Sequence, residues 1–127
     1  MSGRSGDKKL VGVAHLLAAG RYSAGGFFRA CKEAAFRQEL AAGAGLCLFY
    51  FYMDVEPAVG IAAAILFLLL MAVEALNTAI EEIVDRISPE ISDTGRHAKN
   101  LGSFAVLCLV IANMLLPVHV IAVSVWL

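Results

Sequence analysis

The chain has 127 residues, of which 60% are hydrophobic and only 17% are charged, whereas soluble domains are roughly half apolar and a quarter charged. This composition excludes an ordinary soluble domain and indicates a single unit embedded in a membrane. The net charge of −1 gives no sign of nucleic-acid binding, and the three cysteines lack metal-ligand spacing and predict free thiols.

The N-terminal third of the chain predicts a surface helix. Residues 1–9 are predicted to be disordered. Lys8 and Lys9 precede an apolar run that a signal peptide could also contain, but His15 interrupts the run and no polar mature domain follows. We therefore predict an amphipathic helix over residues 10–30 that lies in the membrane interface. Its predicted lipid-facing residues are Leu10, Val13, Leu17, Phe27 and Phe28.

Three further stretches are each long and apolar enough to cross a bilayer of about 30 Å, which takes roughly 20 helical residues. They predict transmembrane helices over residues 33–52, 57–85 and 101–127. The first ends in the aromatic cluster 49–52, which is typical of a membrane–water interface. Pro57 stands in the first turn of the second span, where a helix tolerates it. Pro117 is predicted to kink the third span.

The positive charges predict the orientation of these spans. All ten Lys and Arg residues lie either between Arg4 and Arg37 or in the segment from Arg86 to Lys99. The only charged residues in the connection between the first and second spans are the acidic Asp54 and Glu56. By the positive-inside rule, the N-terminus and the 86–99 loop are cytoplasmic and the C-terminus lies outside.

A stripe of polar residues runs along the second span. Glu74, Asn77, Glu81 and Asp85 are spaced 3, 4 and 4 residues apart, so they share one face of a helix. Counted from Pro57, Glu74 lies about 25 Å across the membrane and Glu81 about 36 Å. A carboxylate in the hydrocarbon costs at least a few kcal/mol and is usually functional or paired. The structural alternative is that Glu74 only bonds a neighbouring helix or pairs with Arg37.

A second acid predicts a metal site. Glu33, in the first span, lies at about the same depth as the stripe. Magnesium is usually bound by one or two carboxylates together with substrate phosphates. Lys99 would add a cation for phosphate charge, although a lone lysine at a helix start can also be a topology anchor. The residues alone leave open a metal-assisted reaction at the interface and an ion-conducting bundle.

Three segments carry a family resemblance. EALNTAIEEIVDRISPE (74–90), EAAFRQE (33–39) and AKNLGSFAV (98–106) closely resemble the prokaryotic diacylglycerol kinase family. The resemblance implies an all-α membrane protein of the bacterial inner membrane, with a surface helix and three spans per chain in a homotrimeric bundle. It further implies Mg²⁺-dependent transfer of the ATP γ-phosphate to the hydroxyl of diacylglycerol, at active sites shared between subunits.

The resemblance also implies residue roles. Glu74 matches the general base, Glu33 and Glu81 match metal ligands, and Asn77 and Asp85 match supporting positions. The positions matched to ATP binding are Tyr22, Glu33, Glu81, Glu90, Ser92, Lys99 and Asn100. Those matched to the lipid substrate are Ala35, Phe36, Arg37, Gln38, Glu39, Glu74 and Ser103. Two positions depart from the family: Asn100 replaces the usual Asp, and Ser92 stands where many members have His.

Two other functions remain possible at this point. Undecaprenol kinases of the same family share the catalytic core, but EAAFRQE resembles the diacylglycerol branch better. A small oligomeric transporter would use Glu74 as an intramembrane proton or cation site. That function explains Glu74 but not the convergence of Glu33, Glu81 and Lys99 at one depth.

Overall fold

The computed structural model describes residues 12–90 and 92–126 and shows four helices: α1 (Val13–Ala30), α2 (Ala34–Tyr52), α3 (Pro57–Ile87) and α4 (Asp93–Trp126). The described residues form no strand, which confirms the predicted all-α class. The segment predicted to be disordered (1–9), Leu10 at the start of the predicted surface helix, and Leu127 lie outside the described residues.

Local signals explain where the helices begin and end. Pro57 occupies the first turn of α3, where its missing N–H costs nothing. Asp54 adopts a left-handed backbone (φ 47°) just after α2 and turns the chain toward α3. At the start of α4, the Ser92 Oγ accepts a hydrogen bond from the Gly95 N–H (3.1 Å), so Ser92 acts as its N-cap.

Helices α3 and α4 form the main packed pair. The short connection between them makes the pair antiparallel. Near the middle of the pair, Asn113 Nδ2 donates to the Leu66 carbonyl of α3 (3.0 Å) and to the Leu109 carbonyl of its own helix (2.8 Å). Small residues of α4 allow a close approach to α3, since Gly95 faces Val84. This hairpin is the scaffold that carries the polar stripe.

Two of the four helices, α3 and α4, are long and apolar enough to cross a membrane. At 1.5 Å per residue they are about 46 and 51 Å long, so both extend beyond a hydrocarbon layer of about 30 Å. The large apolar side chains on their surfaces are exposed in the single chain, as expected for helices that face lipid or another chain. These observations confirm the membrane character of the chain.

Helix α2 has 19 residues, which is long enough, but its mean hydropathy is lower than that of α3 and α4. Its first two turns contain Arg37, Gln38 and Glu39, which lower its mean hydropathy. The remaining turns are apolar through the aromatic residues 49–52. The third crossing therefore stays a prediction.

The start of α4 differs from the sequence prediction. The helix begins at Asp93 instead of residue 101, because the Ser92 cap starts it within the predicted loop. Arg96 and Lys99 therefore lie on its first two turns and not in a loop. Farther along, α4 continues as one helix through Pro117.

Candidate active site

The polar stripe of α3 begins in a buried position and ends in an exposed one. Glu74 and Asn77 are buried, with 5% and 9% of their surfaces exposed. Glu81 and Asp85, farther toward the end of the helix, are exposed. Asn77 Nδ2 donates a hydrogen bond to Glu81 Oε1 (3.2 Å). The buried part of the stripe is thus connected directly to its exposed part.

Helix α4 covers the middle of this stripe at Gly102. A methyl group at that position would overlap the Oδ1 atom of Asn77. This oxygen is buried and has no donor among the described residues. A side chain at position 102 would therefore force the Asn77 amide to move from its present place.

This contact gives a packing prediction. We expect Gly102→Ala to lower the free energy of unfolding by about 1–3 kcal/mol, because the added methyl group forces Asn77 or α4 to move. Gly45→Ala is the matched control, since a methyl group there meets nothing within 4 Å and alanine favours a helix. Thermal unfolding in micelles, followed by circular dichroism, measures both. Equal midpoints for the two variants would contradict the tight Gly102–Asn77 contact.

Three other carboxylates lie within electrostatic range of Glu74. Glu81 follows it on α3, Glu33 precedes the first residue of α2, and Glu39 lies on the second turn of α2. All three are close enough for their negative charges to act on Glu74 or to be acted on by it. One oxygen of Glu39 is also buried without a donor among the described residues. The site is therefore strongly acidic and suited to a cation.

The donor set fits a magnesium–nucleotide complex. Among the described residues, no three His, Cys, Asp or Glu side chains are grouped closely enough to hold a metal by themselves. Magnesium bound through substrate phosphates needs only one or two protein carboxylates. The carboxylate oxygens of Glu33 and Glu81 are ligands of the hard type that magnesium prefers.

A pocket of about 230 Å³ lies between the end of α3 and the start of α4. Lys99 and Asp85 both line this pocket and form an ion pair, with Nζ 2.5 Å from Oδ1. Five residues predicted from the sequence line this pocket: Asp85, Glu90, Ser92, Lys99 and Asn100. The structure therefore brings most of the predicted nucleotide-side residues together in one place.

Tyr22 is separate from that group. Its surface is 80% exposed, and it lines a shallow hollow on α1 together with Leu17 and Arg21. It does not line the α3–α4 pocket. Glu33 and Glu81 do not line that pocket either, so in a single chain it contains only four of the seven predicted nucleotide-side residues: Glu90, Ser92, Lys99 and Asn100.

The predicted lipid-side residues are divided between structural and exposed positions. Phe36 is 4% exposed and packs edge to face on Phe27, with ring centroids 6.0 Å apart. Arg37 donates to the backbone carbonyls of Cys31 (3.1 Å) and Lys32 (2.7 Å), so it does not form the ion pair with Glu74 considered above. The exposed members of the set are Ala35, Gln38 and Ser103.

The sequence reasoning missed Arg29 and Arg96. Arg96 lines the α3–α4 pocket and pairs with Asp93 (2.8 Å). Arg29 pairs with Glu33 (2.7 Å), and this hydrogen bond is the main cause that raises the pKa of Arg29. The four-residue spacing of Arg29 and Glu33 is a helix-pair signal that could have identified this contact.

Comparison with known proteins places the chain in a family. Residues 21–121 match the family model described as prokaryotic diacylglycerol kinase. The chain belongs to the prokaryotic diacylglycerol kinase family. The matched region includes α2, α3 and most of α1 and α4, so family membership rests on the whole helical unit and confirms the resemblance seen in the sequence.

Several bacterial relatives named diacylglycerol kinase are similar along most of their length. The protein of a Sinorhizobium species is 53% identical over 114 residues, which cover 90% of this chain and 83% of the relative. The Pseudomonas aeruginosa protein is 41% identical over 102 residues (77% and 80%). The Escherichia coli K12 protein is 36% identical over 106 residues (83% and 87%). Thus this chain and its relatives correspond in extent as well as in sequence.

Proposed function

We propose that this chain transfers the γ-phosphoryl group of ATP to the free hydroxyl of diacylglycerol and produces phosphatidic acid. The observation that carries the proposal is family membership over residues 21–121, combined with a stripe that leads from buried Glu74 to exposed Glu81 on one helix. A lipid hydroxyl and a water-soluble nucleotide can meet only where membrane gives way to water, and the stripe crosses that boundary.

In the proposed reaction, Glu74 is the general base. Its carboxylate accepts the hydroxyl proton while the hydroxyl oxygen attacks the γ-phosphorus. The bond from that phosphorus to the bridging oxygen breaks, and ADP leaves with the bond's electron pair. The burial of Glu74 on the membrane side of the stripe supports this role, since the lipid hydroxyl approaches from that side.

Glu33 and Glu81 would hold Mg²⁺ together with the ATP phosphates, and the ion would neutralise phosphate charge. Asn77 supports Glu81 through its hydrogen bond, while Asp85 supports Lys99 through an ion pair. In phosphoryl transfer the protein mainly positions the reactants and neutralises developing charge. These contacts would keep the ligands in place for both tasks.

The α3–α4 pocket is the proposed nucleotide side of the site. Lys99 would contact the phosphates once the nucleotide displaces Asp85. Glu90, Ser92 and Asn100 line the same pocket, and Asn100 contributes an amide instead of the carboxylate usual in the family. Tyr22 is assigned to this side through the family resemblance.

The lipid side is assigned to residues 35–39 and Ser103. Glu39 interacts with the charge of Glu74, and one of its buried oxygens has no hydrogen-bond donor within residues 12–90 and 92–126. The EAAFRQE segment (33–39) favours diacylglycerol over undecaprenol as the acceptor.

We further propose a homotrimer in the bacterial inner membrane, with α2, α3 and α4 crossing the bilayer and the N-terminus cytoplasmic. All ten Lys and Arg residues lie toward the proposed cytoplasmic end, which supports the orientation. The separation of Tyr22 from the α3–α4 pocket supports sites completed by a neighbouring chain. Native mass spectrometry in micelles tests the assembly, and we expect a species of three chains.

The function is tested with purified protein in micelles supplied with magnesium, ATP and dioleoylglycerol. We expect radiolabelled γ-phosphate to appear in phosphatidic acid. Undecaprenol in place of dioleoylglycerol should give much less product. A transporter that uses Glu74 as an ion site would leave both lipids unphosphorylated, and that result would overturn the proposal.

A further inference from the structure

Arg29 joins three elements at the edge of the acidic site. From the last turn of α1, its Nη1 donates to Glu33 Oε1 (2.7 Å), in the turn that leads into α2. Its other terminal nitrogen, Nη2, pairs with Glu82 Oε1 on α3. The guanidinium therefore bridges Glu33, a predicted metal ligand, and Glu82, which is the neighbour of the other predicted ligand, Glu81.

The backbone on either side of Arg29 is packed against α2, although its guanidinium remains partly exposed (41%). Ala30, the next residue, is 4% exposed, and Phe27, two residues earlier, packs on the Phe36 ring of α2. Arg37 caps the carbonyl end of α1 through Cys31 and Lys32. The turn that carries Glu33 is thus held from both sides, and Arg29 links it to α3 through Glu82.

The negative charge near Arg29 also favours such a bridge. The negative charges of Glu33 and Glu81 both act on Glu74, yet Glu33 must approach the stripe to share a metal with Glu81. The planar guanidinium can hold two carboxylates at once, which a lysine ammonium cannot do with the same geometry. Among the described residues, Arg29 is the cation that ion-pairs with Glu33.

We infer that Arg29 is a positioning residue: anchored by Glu82, it holds the Glu33 carboxylate at the acidic face of α3, where magnesium and nucleotide bind. This inference rests on the proposed function for the role of Glu33. It assigns a task to Glu82, which the proposed mechanism does not use. Arg29 acts through Glu33 and contacts neither the reacting atoms nor the lipid.

The test measures metal binding directly, by the electron paramagnetic resonance of Mn²⁺ added to the full-length protein in micelles with a non-hydrolysable ATP analogue. We expect Arg29→Gln to weaken Mn²⁺ binding about five- to tenfold, because loss of an outer partner misplaces a ligand. Glu82→Gln should weaken it in the same direction. The double variant should be no worse than Arg29→Gln, since both changes break one bridge.

Two further variants separate positioning from simple charge. Lys32→Gln removes the same charge beside Glu33, but Lys32 forms no ion pair among the described residues, so its Mn²⁺ affinity should stay within about twofold of the parent. Arg29→Lys keeps the charge without the two-pronged geometry and should give intermediate affinity. Thermal unfolding without metal verifies that each variant folds.

The outcomes distinguish this inference from the proposed function. Unchanged or tighter Mn²⁺ binding in Arg29→Gln would overturn the inference, because Arg29 would then be inert or a competitor of the metal. An equal loss in Lys32→Gln would also overturn it. A parent protein that binds Mn²⁺ and nucleotide but phosphorylates no lipid would overturn the proposed function alone. A parent that binds neither would overturn both.

Discussion

Glu74→Gln is expected to lower the rate of dioleoylglycerol phosphorylation about 100-fold or more, while nucleotide binding stays nearly unchanged. The amide has the size of the carboxylate but cannot accept the hydroxyl proton, and a general base contributes roughly 100- to 10,000-fold. A loss of 100-fold corresponds to about 2.7 kcal/mol of transition-state stabilisation. Steady-state kinetics give kcat, and calorimetry with an ATP analogue gives the nucleotide affinity.

Glu56→Gln is the matched control for Glu74. It makes the same chemical change at the residue just before α3, which is the opposite end of that helix from Glu81. Its kcat should equal that of the parent. If Glu74→Gln abolishes nucleotide binding as well as phosphoryl transfer, then Glu74 belongs to the metal–nucleotide site and its assignment as the base is wrong.

Glu81→Gln is expected to weaken binding of the magnesium–nucleotide complex roughly tenfold, equivalent to about 1.4 kcal/mol. One of two proposed anionic ligands is lost, so a higher magnesium concentration should restore part of the rate. The hydrogen bond from Asn77 can still reach the amide oxygen of glutamine, which limits structural disturbance. Titrations of Mg²⁺ at fixed ATP concentration measure the change.

Asp54→Asn serves as the control for Glu81. It removes an exposed carboxylate from the turn before α3, at the opposite end of that helix from Glu81, and asparagine tolerates the left-handed backbone at this position (φ 47°). The magnesium dependence of this variant should follow the parent within about twofold. An unchanged magnesium–nucleotide affinity in Glu81→Gln would show that Glu81 is not a ligand.

Much of this fold follows from periodicity and hydropathy. The predicted surface helix over 10–30 corresponds to α1, and the spans predicted over 33–52 and 57–85 correspond to α2 and α3 within a few residues. These segments are long and consistently patterned, so their limits are set by strong local signals. Helix α4 begins eight residues before the predicted span, because Ser92 caps a polar first turn that hydropathy does not identify as helical.

The site was less accessible to sequence reasoning. Spacing of three or four residues along one helix predicts the Glu74–Asp85 stripe without knowledge of other helices. The Arg29–Glu82 contact joins residues 53 positions apart, and no local pattern encodes it. The overlap of position 102 with Asn77 also depends on how closely two helices approach, which is decided by packing. The assignment of ATP and diacylglycerol required the family resemblance.

The Asn113 bond has a consequence for how the protein is assembled in the bilayer. Deep in lipid, an amide with no partner is costly, and here α3 supplies the partner. Helices that insert separately and then associate are drawn together by such bonds and by small residues at the contact. Helices α3 and α4 can therefore pair with each other during biogenesis. The pair carries both Glu74 and Lys99, and the first half of the chain can then pack onto it.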